Sequence, residues 1–447
     1  WIKKDGTTKV YLTVVVDDML VTSSDEALTK HIVDEIPVPC GKCGSEMKRI
    51  PDVLDTWFDS GSMPYAQVHY PFQNKEKFEK SFPAEYIGEG QDQTRAWFYY
   101  LHVLAGAIME KNAFNHVIVN GIVLAEDGKK MSKKLKNYPD PSVVMEKFGA
   151  DALRFYMASS PVVHAENLNF SEEGVREIYG KLINTLWNVY EFYELAADVD
   201  RHGQEHTSSH VLDKWILAKL HTTMKETTEH LEGYRLAEAA RPLLAFVTEL
   251  SQWYVRRSRE RLKGDDTKDK QGALHTLRLV LTTMCKLLAP FTPFVAEVIY
   301  QKLKSEVREP KPTLADSVHL AQWPHHKDVE KEDGILERME EIRKIVELGL
   351  ALRAEKKLKV RQPLAELRMN RKQLSQEFLD IIADELNVKK VSFAEAVQED
   401  FWASKIDGET NIWLDTRMTD ELKEEGMMRD LVRSINQLRK DQGLTAK

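Results

Sequence analysis

The chain has 447 residues and 51.5 kDa, with 42% apolar and 30% charged side chains, a size beyond what one core organises, so two to four domains are anticipated. No uninterrupted apolar run approaches the ~20 residues of a membrane span, and Trp1-Ile2-Lys3-Lys4-Asp5 has neither an initiator Met nor an apolar core, so it reads as the start of a fragment and not as a signal peptide. Three cysteines make no disulfide framework at this size and point to a reducing, cytoplasmic setting, while a net charge of −8 leaves nucleic-acid binding to local basic patches.

Residues 10–16, Val-Tyr-Leu-Thr-Val-Val-Val, are rich in β-branched side chains and read as a buried strand ahead of Asp17-Asp18. The run Val16-Asp17-Asp18-Met19-Leu20-Val21 resembles the catalytic hairpin of reverse transcriptases, where such a pair holds metal. With no other polymerase motif following, two solvated carboxylates at a strand end is the favoured reading. Cys40-Gly41-Lys42-Cys43 is half of a tetrahedral zinc knuckle and needs two more ligands. Cys285 lies in an apolar helical stripe and reads as a core thiol; His31 or Asp34 would be the groups to complete the site if zinc bound tightly. The run Asp52–Gln67 reads as a short strand entering a Gly/Ser/Pro turn, and Ala84–Phe98 as strand, glycine turn and helix. Residues 116–124 supply a third strand. Strand, helix and strand in succession predict parallel pairing, with ligands met at the strand C-termini and the helix N-terminus.

The third strand leads into Glu126–Pro141, where Asp127-Gly128 is a turn pair and Pro139 and Pro141 stop regular structure. Lys130 and Lys133 flank Met131-Ser132 on what reads as a mobile loop, and ammonium groups on flexible stems suit a polyphosphate. Asp140 or Ser142 is placed to cap a helix over Val143–Phe148, and Gly149–Tyr156 starts another. Leu243, Val247, Leu250 and Tyr254, and later Leu274, Leu277, Leu281, Met284 and Leu288, each mark one buried helical face, so a bundle is expected. Residues 196–209 form a polar link within it. The run Trp253–Lys263 carries Arg256, Arg257, Arg259 and Arg261, which cannot all face one way on a helix. Some are expected to pair with carboxylates and others to meet RNA. Ile335, Met339, Ile342 and Val346 predict a further amphipathic helix. Residues 364–369, a helix through Leu386, residues 388–393 and residues 411–414 then predict a small α/β module, closed by a charged helix over 419–443.

Lys130-Met131-Ser132-Lys133-Lys134 resembles the Lys-Met-Ser-Lys-Ser signature of class I aminoacyl-tRNA synthetases, with Lys134 in place of the last Ser, and Asn137-Tyr138-Pro139-Asp140-Pro141 resembles the isoleucyl form. From about Pro37 to the end of the bundle the resemblance is continuous. It implies an α/β region followed by an all-α one. Residues 1–50 run into the end of a connective insertion, 51–140 form the second half of a Rossmann-like catalytic domain and 141–180 a stem-contact linker. Residues 181–330 are the anticodon-binding bundle and 331–447 the terminal module. The resemblance further implies ATP with Mg2+, isoleucine and tRNA(Ile) as ligands of a monomeric ligase, with Zn2+ in the complete enzyme. Lys133, assisted by Lys130, would stabilise charge on the departing pyrophosphate, with Met131 and Ser132 beside the nucleotide. Glu89 would contact the adenylate, Gly90 and Asp92 the ribose, and Gln93 the amino acid. Trp57 and Trp97 would wall the aliphatic pocket, Arg256 and Arg257 would meet tRNA, and Cys40 with Cys43 would be half a zinc site. Such a slot rejects valine by only about 1–3 kcal/mol, which is why the family edits. The family's His-Ile-Gly-His-type signature and a complete editing domain are not found here, so this chain by itself is expected to be inactive, and with only the Cys40 and Cys43 pair it is expected to bind zinc weakly or not at all. A valyl or leucyl enzyme, or a non-catalytic tRNA-binding protein using the bundle alone, are the alternatives.

Overall fold

A computed structural model describes residues 2–5, 8–15, 18–23, 38–39, 43–47, 56–132, 134–197, 208–264, 266–305, 314–326, 334–370, 374–397 and 400–444. They belong to two compact units, Trp1–Tyr138 with Ser160–Ser171, and Pro139–Ser159 with Glu172–Lys447. No helix among the described residues is long and apolar enough to cross a membrane.

The first unit opens with an antiparallel meander, β1 (Ile2–Asp5), β2 (Thr8–Val15) and β3 (Asp18–Ser23), in which Val15 pairs with Asp18. Asp17 lies outside the described residues. A two-residue ladder, β4 (Val38–Pro39) with β5 (Glu46–Met47), follows. The run read as strand and turn is, from Thr56 onward, two short helices, α1 (Thr56–Gly61) and α2 (Met63–Ala66). Packing overrides the β-preference of Thr-Trp-Phe. A Cβ on Gly61 would sit 2.8 Å from the Tyr100 Cβ, so only glycine lets α1 lie this close to the next long helix. After α3 (Lys75–Ser81) come β6 (Ala84–Gly90), a 3₁₀ turn over Gln91–Arg95, α4 (Trp97–Met109) and β7 (Phe114–Asn120). β6 and β7 pair in parallel, Glu89 beside Val119 and Gly90 beside Asn120, which is the predicted crossover. Under them Phe78 stacks on Tyr70 and Phe82 at 4.1 and 4.8 Å, and Leu101, Leu104 and Ala105 of α4 close the core. β8 (Val123–Leu124) pairs with β9 (Leu168–Asn169).

The second unit begins with α5 (Pro141–Phe148), capped by Asp140, whose Oδ1 accepts the Ser142 N–H at 2.9 Å, a bond worth about 1 kcal/mol. α6 (Ala150–Ala158) follows. Buried Asp151 of α6 accepts the N–H groups of Phe294 and Val295, and Arg154 donates to the Pro290 and Phe291 carbonyls. The bundle continues through α7 (Glu172–Ile178), a π-helical turn over Tyr179–Asn184, α8 (Thr185–Ala197), α9 (Val211–Glu232) and α10 (Leu236–Glu249). A second π turn, Leu250–Val255, leads to α11 (Arg256–Lys263), α12 (Thr267–Leu288) and α13 (Pro293–Ser305). Leu243, Val247, Leu250 and Tyr254 are fully buried, as the rhythm predicts, and so is Cys285, whose thiol burial pushes well up from its ordinary pKa.

One cluster of charge crosses this core. Asp213 of α9, fully buried, receives both Arg261 Nη groups (3.1 and 2.7 Å) and the Tyr254 hydroxyl (2.6 Å), while Ser208 donates to its other oxygen. Arg261 also grips Asp269 on α12. His210 caps α9, its Nδ1 accepting the Leu212 N–H.

α14 (Ile335–Glu355) carries the predicted apolar face and docks a module of β10 (Leu364–Met369), α15 (Gln376–Leu386), β11 (Val388–Phe393), β12 (Trp402–Asp407) and β13 (Thr410–Asp415), in sheet order β11-β10-β13-β12. Only β10 and β11 run parallel. β12 is absent from the sequence reading, although Gly408-Glu409, the two residues between β12 and β13, open with the glycine that a tight hairpin uses. α16 (Asp420–Asp441) is the last described element.

Removing Asp213 leaves Arg261 buried with Asp269 as its remaining carboxylate and the Tyr254 hydroxyl with the Ala273 carbonyl alone. Asp213→Ala is expected to lose about 3–5 kcal/mol in urea unfolding, and Asp213→Leu with Arg261→Met to recover most of it; equal losses in both variants would show that packing, not charge, matters there. A pH effect follows from His210. Burial, with Arg261 beside it, holds the imidazole below its ordinary value near 6.5, so the unfolded chain binds the extra proton more readily. Its contribution is complete above about pH 6.5 and fades as the pH falls below that. Parent stability should therefore drop between about pH 6.5 and 5 relative to His210→Asn, which keeps a capping acceptor without titrating; parallel pH profiles would exclude this role.

Candidate functional site

β6 and β7 end on the same edge of their parallel pair; β6 hands the chain to a polar turn, and β7 hands it through Gly121-Ile122 to β8. At the end of β6, Gly90 is followed by the 3₁₀ turn, and a Cβ on Gly90 would lie 2.7 Å from the Asp92 Oδ1. Glycine is therefore what allows the Asp92 carboxylate to fold back over the strand end. Gln93 turns its Oε1 to the Trp97 N–H at 3.1 Å and its Nε2 to Asp92 at 3.1 Å, which ties the turn to the start of α4. Glu89 and Asp92 stay exposed, with Gly90 and Gln93 half-buried. Trp97 donates its indole N–H to the Ser60 carbonyl on α1 at 3.0 Å, and α1 also carries Trp57, 41% exposed. The two tryptophans thus stand on helices fastened to one another.

Beyond β7 the chain passes Gly121, whose Cβ would fall 1.8 Å from the Glu166 carbonyl, and enters β8 and the lysine loop. Gly128 takes φ +77°, closing a turn in which Ala125 donates to Lys129 O and Gly128 to Ala125 O, both at 2.8 Å. Asp127 accepts the Lys129 ammonium at 2.8 Å, and that hydrogen bond holds its carboxyl below the usual carboxylate range. Asn137 then reaches back, its Oδ1 accepting the Ser132 N–H at 2.9 Å and its Nδ2 donating to the Lys130 carbonyl at 3.2 Å. Lys130 and Lys134 remain exposed and Met131 and Ser132 half-buried. Lys133 lies outside the described residues. Sequence reading missed the role of Asn137, because a side chain that captures the backbone seven residues back has no local pattern.

The four arginines of α11 are all engaged. Arg256 and Arg257 meet Glu385 of α15 at 2.6 and 2.7 Å, and Arg257 also meets Asp384 at 3.1 Å. Arg259 lies over the Phe192 ring, and Arg261 belongs to the buried cluster. Arg257, with only a tenth of its side chain exposed, is a strut between α11 and the terminal module.

For zinc, Cys40 lies outside the described residues and Cys43 is exposed with its Sγ 2.8 Å from the Ser45 hydroxyl. Cys285 is in the core, and among the described residues no group of three or more His, Cys, Asp or Glu could hold a metal.

Residues 1–169 match the family model for tRNA synthetases class I (I, L, M and V), and residues 213–368 match that for the anticodon-binding domain of tRNA ligases. The chain belongs to the class I tRNA synthetases. Curated isoleucine–tRNA ligases are among its relatives: it is 38% identical to that of Treponema denticola over 94% of this chain and 46% of the ligase, and 43% identical to that of Chlamydia caviae over 88% and 38%. The Clostridium novyi ligase is 47% identical over 83% of this chain and 36% of its own length. The chain thus spans less than half the length of these relatives. Among solved structures, an Agrobacterium radiobacter K84 LeuRS in ternary complex with tRNA and LeuAMS aligns at TM-score 0.51 and 20% identity, over 71% of this chain and 37% of that one, a likeness of fold.

Asn137 supplies a test of the loop geometry. Its two hydrogen bonds, at about 1 kcal/mol each, bias the loop closed by an order of magnitude or more. Asn137→Ala should speed tryptic cleavage between Lys129 and Lys136 by about tenfold while leaving the melting temperature nearly unchanged. Unchanged cleavage would show that the loop is held by something else.

Proposed function

We propose that this chain is the portion of an isoleucine–tRNA ligase that holds the lysine loop, the adenylate-facing turn and the anticodon-binding bundle. The observation that carries the reading is the lysine loop itself, an exposed Lys130 beside a pinned Met131-Ser132 backbone, delivered from the C-terminal edge of a parallel strand pair. In activation the isoleucine carboxylate attacks the ATP α-phosphorus, the bond to the bridging oxygen breaks, and pyrophosphate leaves with the accumulating charge. Lys133 and Lys130 stabilise that charge more as it departs than before, which is where binding lowers a barrier. Glu89 and Asp92 are acceptors and belong on the other side of the nucleotide, against ribose hydroxyls and the amino acid's ammonium. Gln93, Trp57 and Trp97 bound the aliphatic side chain, and the bundle takes tRNA(Ile).

Mg2+ arrives with ATP. It would be held in large part by the phosphate oxygens it accompanies. The described residues do not fit a zinc site, and no step depends on one. The domain limits 51–140, 141–180, 181–330 and 331–447, a monomeric state and a cytoplasmic setting complete the proposal.

The test is Lys133→Ala in the full-length ligase containing this segment. Pre-steady-state adenylate formation should fall by about 10²-fold or more, the scale of one lost charge-stabilising donor, with the melting curve unmoved. Lys134→Ser should be nearly silent. Adenylate formed at the parent rate by the Lys133→Ala enzyme would overturn the assignment.

A further inference from the structure

Between α14 and β10 runs the loop Lys356–Arg361, and its backbone is held in an unusual way. Arg353, on the last turn of α14, is fully buried, yet its hydrogen bonds go to carbonyls and none to a carboxylate among the described residues. Its Nη1 donates to the carbonyls of Lys359 (3.0 Å) and Gln362 (2.9 Å), and its Nη2 to that of Asn387 (3.0 Å). Asn387, at the C-terminus of α15, donates from Nδ2 to the carbonyls of Val360 and Arg361, both at 3.0 Å. Four successive carbonyls, Lys359 to Gln362, are therefore turned inward onto two donors. Burial lowers the Arg353 pKa to about 10, so it stays a cation at neutral pH and adds positive charge beneath the loop.

The outer surface is the complement of this arrangement. Lys356, Lys357, Lys359 and Arg361 are all exposed. Lys356 and Lys357 have no ion-pair partner among the described residues, and Lys359 and Arg361 share the single carboxylate of Asp430 at 3.8 and 3.3 Å. Such solvent-exposed pairs hold weakly and exchange readily for another anion. With carbonyl oxygens withdrawn and four cations outside, the loop is a positive surface on a chain whose net charge is −8. Its backbone is already ordered, which removes part of the entropic cost of binding.

We propose that the Lys356–Arg361 loop is a docking surface for the phosphate backbone of an RNA, separate from the arginines of α11. The choice of RNA rests on the reading above that the partner is tRNA, and on the position of the loop inside the residues matched by the anticodon-binding model. Arg353 and Asn387 act as positioning residues that keep the carbonyls away from the phosphates.

The experiment measures binding of this 447-residue chain to a labelled tRNA(Ile) transcript across salt concentrations. The parent should show a linear fall of log affinity with log salt. Lys356→Gln/Lys357→Gln/Lys359→Gln/Arg361→Gln should weaken binding by about tenfold or more at 0.1 M salt and flatten the slope by about 3, near 0.7–0.9 for each phosphate no longer neutralised. Lys356→Gln/Lys357→Gln, which disturbs no ion pair among the described residues, should give about half that change. A charge-matched control, Lys75→Gln/Lys77→Gln/Lys80→Gln/Lys111→Gln, should bind nearly as the parent does, and all variants should melt alike. Unchanged affinity and slope in the loop variants, or an equal loss in the control, would overturn the loop as a docking surface while leaving the tRNA reading intact. A parent chain with no salt-dependent tRNA binding would overturn both.

Discussion

A fully buried carboxylate is the constraint on which the larger unit turns. Asp213 has no access to water, so its two oxygens must be satisfied by protein, and they are, by a guanidinium, a phenol and a serine hydroxyl from three separate parts of the bundle. Hydrophobic burial around it is large but tolerant of sliding, because leucine faces interdigitate in more than one register. A carboxylate that must meet Arg261 and Tyr254 at once admits one register. The cluster thereby fixes which face of α11 looks inward.

That choice propagates. Arg257 precedes Arg261 by one helical turn and lies on the same side of α11, so a helix whose Arg261 reaches Asp213 necessarily directs Arg257 along the bundle wall. There it finds Glu385 and Asp384. The terminal module is anchored by charge at that point and by leucine packing along α14, and the positions of Asn387 and of the basic loop follow from the same anchor. Thus an interaction inside the bundle orders a surface contributed by residues about a hundred positions later.

The sequence made the parallel strand pair, the bundle faces and the lysine loop legible, because each depends on a periodicity or a turn chemistry confined to a short run. Leu243 to Tyr254 keep their rhythm through a π turn, since the buried face continues across it. Residues 56–66 mislead because Gly61, Ser62 and Pro64 look like turn formers when their neighbours are unknown; Gly61 is instead where α1 touches Tyr100, an association 39 positions apart that no window shows. Which carboxylates the arginines meet is hidden for a related reason. Their partners lie 127 to 129 positions away, and a run of Arg and Glu on a helix looks the same whether it faces water, RNA or Glu385. Arg353, within Leu-Arg-Ala-Glu-Lys-Lys, has every local mark of a solvated residue and is in the core.

The two cationic loops use one device at two strengths, and the difference matches what each is proposed to do. In both, a side-chain amide bonds to the loop backbone and lysines are left outside. In the lysine loop the side chain that pins the Met131-Ser132 segment is Asn137, through one carbonyl and one N–H, an amount of free energy comparable to what a few phosphate contacts return, so the segment can exchange those bonds for bonds to a triphosphate. The Lys356–Arg361 loop is held at four carbonyls by a buried guanidinium and an amide, and rearranging it would leave a charge in the core without partners. A surface that has to close over a small substrate in every turnover gains from weak pinning. One that only receives a long polyanion gains from being fixed beforehand.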